Sequence, residues 1–293
     1  MSQTPQQLDI FADSRDVMLR NAVLDALERR DSTGARAAVC ALAAEFASDV
    51  RLPALQRLTL ALEQRDDAPL ADHDAISRER DVIEHELRAA AHQAFGVPAG
   101  DDWLRTQWAE LAARSERLLF DPERADSHAA ALWLRAARWQ AAAQAAQRIE
   151  SWRRIPAPLA WMMQARCRQD GIDAAWPLLA ELAWMAPARL SALLPHLDDP
   201  LLARLLRRFD EAEFDGADAL AWFPAWALTQ SPALAAHLAQ AQPGQHGAPE
   251  RGMRRMIELL GLERQGRHHE LIAHRRALRD LCAPLYTAYM ATR

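Results

Sequence analysis

At 293 residues, half of them hydrophobic, the chain can bury a substantial core, and its net charge of −5 gives no uniformly basic footprint for nucleic acid. All 35 basic residues are arginine, interleaved with 40 acidic ones; without lysine, Schiff-base and P-loop chemistries are excluded. Alanine and leucine dominate while Gly (10) and Tyr (2) are scarce, so the expected fold is all-α with no sheet.

In chain order, a polar arm over residues 1–12 contains the apolar cluster Leu8, Ile10 and Phe11. Asp13 or Ser14 then caps a first helix, whose Leu19, Val23, Ala26 and Leu27 share one face. Ser32-Thr33-Gly34 is expected to break it, and a second Ala-rich helix runs to about Ser48. A third starts near Pro53, a proline suited to a first turn. Residues 74–95 form a charged amphipathic helix ended by Gly96. The stretch GVPAGDD (96–102) reads as a boundary, which divides the chain into an arm (1–12), an N-terminal helical subdomain (13–97) and a helical solenoid (98–293) packed continuously with it.

All ten tryptophans lie between Trp103 and Trp226, where short helices are punctuated by Pro and Gly. Three segments look alike, beginning at Ala136, Gln169 and Arg264, and Trp139 to Ile172 and Ala142 to Ala175 are both 33 residues apart. With Leu179, Leu182 and Pro187, this resembles the tetratricopeptide-like pattern of about 34 residues. The resemblance is best over 126–187, looser over 253–281, and lost between Arg189 and Gln245, where the spacing drifts. It implies a degenerate α-solenoid of stacked helical hairpins, because one hairpin cannot cover its own apolar stripe, and the stack leaves a groove for a protein or peptide partner. Most of the tryptophans are expected between hairpins, with Trp103 and Trp133 as candidates to line the groove. Leu285, Tyr286 and Tyr289 of a closing helix are expected to seal the stack.

Catalytic patterns are weak. HELIAH places His269 and His274 at i and i+5, roughly 140° apart on a helix, which does not close the zinc site of an HExxH motif. His85 and His92, with Glu84 and Glu86, read as a solvated face, and Asp198-Asp199 and Asp210-Glu211 read as helix-end residues. No catalytic residue, metal ligand or cofactor site is expected. Cys40, Cys167 and Cys282 are odd in number and form no CxxC, which fits reduced thiols. The first residues carry no signal-peptide pattern, and the longest uncharged stretch, 219–249, is broken by Pro and Gln, so a cytoplasmic protein with no membrane association is expected.

Gln7, Leu8, Asp9, Ile10 and Phe11 spell QLDIF, which resembles the peptide that docks bacterial replication and repair proteins on the DNA polymerase sliding clamp. The resemblance implies an extended peptide whose Gln amide meets polar groups while the Ile-Phe pair enters an apolar pocket. The same side chains could instead strap the arm onto the first hairpin, and both readings stand. Three function classes follow: a non-catalytic scaffold binding a partner in its groove, the same scaffold recruited to the clamp, and a carboxylate-dependent enzyme with converging acids in a closed cavity.

Overall fold

The computed structural model describes residues 14–212, 214–216 and 218–293. Among them secondary structure is helical throughout, with no strand, and no helix is long and apolar enough to cross a membrane. The chain divides into two compact units, residues 1–138 and 139–293.

The first unit contains α1 (Arg15–Glu28), α2 (Ser32–Glu45), α3 (Leu52–Glu63), α4 (His73–Asp81), α5 (Arg88–Phe95), α6 (Val97–Ser115) and α7 (Ala129–Arg135). A π-helical turn, Val82–Leu87, joins α4 to α5. The α1 face read from the sequence is the buried one: Leu19, Val23, Ala26 and Leu27 enter the core. Each such side chain removed from water stabilises the fold by about 1.5–3 kcal/mol for Val or Leu. The break between α1 and α2 falls earlier than expected. Arg30 takes a positive φ of 59°, and Asp31 caps α2 by accepting the Gly34 amide at 2.9 Å, which makes Ser32-Thr33-Gly34 a first turn and not a breaker.

The expected division at 97/98 falls inside this unit. Gly96, at φ +80°, turns the chain from α5 directly into α6, and the two helices pack against each other in one core. A Cβ on Gly100 would stand 2.9 Å from the Ala91 backbone, so this glycine serves close helix packing. The glycines of GVPAGDD therefore mark a helix corner, not a linker.

The second unit contains α8 (Trp139–Gln147), α9 (Pro156–Asp170), α10 (Ile172–Met185), α11 (Pro187–Leu193), α12 (Pro200–Asp210), α13 (Phe223–Gln230), α14 (Ala235–Leu238), α15 (Ala248–Arg264), α16 (His268–Leu281) and α17 (Ala283–Met290). Neighbours in sequence pack as neighbours in space from α8 to α11 and from α15 to α17. Glycines at positive φ make the α9–α10 and α15–α16 corners, Gly171 at 86° and Gly266 at 69°. The 33-residue spacing corresponds to the starts of α8 and α10, two helices apart. Between α11 and α15 the pattern changes. α13 is buried from Phe223 to Thr229 and packs against α10, α12, α15 and α17, so it is a central helix of this unit. Leu285 and Tyr289 of α17 are buried as expected, while Tyr286 is only partly covered.

Candidate functional site

Residues Gln7 to Phe11 lie outside the described residues. Trp103 belongs to the core, not to a groove: it is 6% exposed, its indole N–H donates to the Leu27 carbonyl at 3.1 Å, and the Arg30 guanidinium lies 4.4 Å from its ring centre. Trp133 packs against the same core and donates to Glu116 Oε1 at 3.2 Å. Neither lines any of the cavities described below. The aromatic payload that placed them in the sequence reading is spent on packing.

The second unit carries a groove of about 950 Å³ lined by α11, α12 and residues Ala212, Phe214, Gly216, Ala219 and Leu220. Its floor is apolar, formed by Leu194, Leu197, Leu206, Phe209 and Phe214. Phe214 stacks on Phe209 with ring centres 5.1 Å apart, and Phe209 meets Phe223 and Trp226 edge-on at 5.4 and 5.3 Å. The floor is thus continuous with the buried α13. Asp198 and Asp210 line the groove with Arg207, and Asp199 caps α12 through the Leu202 amide at 2.8 Å. The adjoining sequence FDEAEFDGAD (209–218) holds five acids and no base, a signal the sequence reading passed over as helix-end chemistry.

A second cavity, of about 280 Å³, lies under the loop that follows α14, and two buried glutamates border it. Glu181, 6% exposed on α10, receives the Arg153 fork at 3.1 Å to each oxygen and the Gln242 amide at 2.8 Å. Burial pushes its carboxyl above the ordinary range, against the pull of the Gln242 amide and of Arg153. Glu250, 2% exposed in the first turn of α15, accepts the Gly244 amide at 3.1 Å and the His246 amide at 2.9 Å. Arg154 donates to the Pro243 carbonyl and Arg254 to that of Ala241, both at 2.9 Å. The sequence signal for Glu181 is a lone acid inside the apolar run WPLLAELAW; for Glu250 it is an acid directly after Pro249 at a helix start. General acid–base work needs a carboxyl free to meet a substrate proton. Here all four oxygens already meet backbone amides or guanidinium groups, so the pair fastens the loop 241–247 to α10 and α15.

Elsewhere, Asp81, Glu84 and His85 come within metal-binding reach of one another. Arg80 and Arg135 hold the two carboxylates in ion pairs, the ordinary chemistry of a solvated helix face. At the start of α16 Arg267 pairs with Glu270, and farther along His274 faces Arg255 and Glu258. Comparison of the chain with family models, curated proteins and solved structures gives no match.

Proposed function

We propose that the protein is a non-catalytic helical-repeat scaffold whose second unit binds a partner segment in the groove between α11 and α12. The observation that carries this reading is the groove itself: an open apolar floor with Asp198, Asp199 and Asp210 in its lining. The partner that fits is an apolar peptide flanked by basic residues, since a buried apolar anchor supplies affinity and charge complementarity supplies register and on-rate. Support for a degenerate tetratricopeptide-like architecture comes from the glycine-cornered pairs α9–α10 and α15–α16 and from the 33-residue spacing. The satisfied state of Glu181 and Glu250 favours binding over carboxylate catalysis.

The test uses a labelled Leu- and Arg-rich peptide and its acidic counterpart, titrated onto the full chain and onto a Leu206→Arg variant. The basic peptide should bind saturably, slow hydrogen exchange within 187–220, and lose at least tenfold in affinity to the variant. Equal binding of both peptides, binding unaffected by Leu206→Arg, or no binding overturns the reading.

The five-position match Gln7-Leu8-Asp9-Ile10-Phe11 favours a second reading, in which the same scaffold is recruited to a bacterial sliding clamp. A peptide spanning Ser2 to Asp13 should then bind purified clamp at about micromolar strength, given the cost of ordering a short peptide. Equal binding by the Leu8→Ala, Phe11→Ala peptide removes this reading.

A further inference from the structure

The first unit holds a cavity of about 440 Å³ walled by α3, α4, the π turn and α6. Most of its charges are answered from within. Arg114 forks Glu79 at 2.5 and 2.9 Å and donates to the Ala68 carbonyl at 2.9 Å. Arg65 pairs with Glu110 at 2.8 Å, and Arg57 with Glu86 at 2.6 Å.

Two donors in its lining have no protein acceptor. Gln107, on α6 and 8% exposed, lines the cavity with a buried Nε2 that has no acceptor. Arg78, exposed on α4, lines the same cavity without an ion-pair or hydrogen-bond partner among the described residues. A buried amide donor left unanswered costs free energy, and native proteins meet such groups with protein, water or ligand atoms. The lining also has an aliphatic part. The π turn contributes Val82, Ile83 and Leu87, and such turns concentrate at functional sites because the extra residue re-aims the side chains that follow.

We propose that this cavity binds a small molecule with an oxyanion head and an apolar body, the head taken by Arg78 and the Gln107 amide, the body by the π-turn wall. The volume suits a small ligand, and guanidinium with amide donors is the pairing that recognises carboxylate and phosphate groups. This site belongs to the first unit and is independent of the groove reading.

Isothermal titration of the full chain with benzoate, phenyl phosphate and uncharged benzyl alcohol separates a carboxylate head from a phosphate head and both from apolar partitioning. One of the two anions should bind saturably, with affinity at least tenfold lower in Arg78→Ala and in Gln107→Leu, and benzyl alcohol should bind at least tenfold more weakly. Arg78 is exposed and Leu is close in volume to Gln, so both variants are expected to fold; a thermal melt of each checks this. The proposal is overturned if neither anion saturates, if benzyl alcohol matches the anions, or if folded variants bind as the parent does.

Discussion

In the second unit two glutamates border a cavity and every carboxylate oxygen meets a donor; in the first, a buried glutamine amide lines a cavity and finds no acceptor, beside an exposed arginine with no protein partner among the described residues. Both regions are helical walls carrying arginine and acid, so composition does not separate them. Satisfaction does. A polar group whose partners are all internal holds structure together, whereas a donor buried without a partner stabilises nothing until something enters to meet it.

Removing an answered group should therefore hurt most. Glu250→Ala leaves the Gly244 and His246 amides without acceptors and should cost about 2–4 kcal/mol in urea unfolding. A cost below about 0.5 kcal/mol would show that the loop 241–247 does not depend on it. Glu181→Ala strips the Arg153 fork and the Gln242 amide of their acceptor, with an expected loss of about 1–3 kcal/mol.

A smaller, pH-limited effect is expected at Glu263. Burial raises its carboxyl, yet hydrogen bonds from Arg293 and Tyr289, with Arg275 beside them, outweigh it and hold the group below the ordinary range. A depressed carboxylate stabilises the fold above its unfolded value, and that contribution fades as pH falls through the folded one. Glu263→Gln should lose less stability than the parent between neutral and acid pH; parallel curves for the two would contradict the assignment.

How much of this was legible beforehand follows from range. The α1 face Leu19-Val23-Ala26-Leu27, the start of α3 at Pro53 and the helix end at Gly96 are local events, set by periodicity and capping, and all can be read from the chain. Near residue 97 the Gly and Pro composition that reads as a boundary forms a tight corner between α5 and α6. Trp103 and Trp133 were placed in a groove on residue type alone, although what fixes a tryptophan's role is the partner of its N–H, here Leu27 and Glu116, 76 and 17 residues away. Glu181 and Gln242 are 61 residues apart, beyond any spacing rule. The groove left a trace in the acids of 209–218, but an acidic run near a helix end carries the same composition whether or not it borders a concavity.

The most direct measurement is a side-by-side thermal melt of the parent, Glu250→Gln and Gln107→Leu. Answered and unanswered groups should separate: Glu250→Gln melts several degrees lower, while Gln107→Leu melts at or above the parent, because it deletes a donor that nothing meets. A Gln107→Leu protein that falls as far as Glu250→Gln would mean that the first cavity is as internally satisfied as the second.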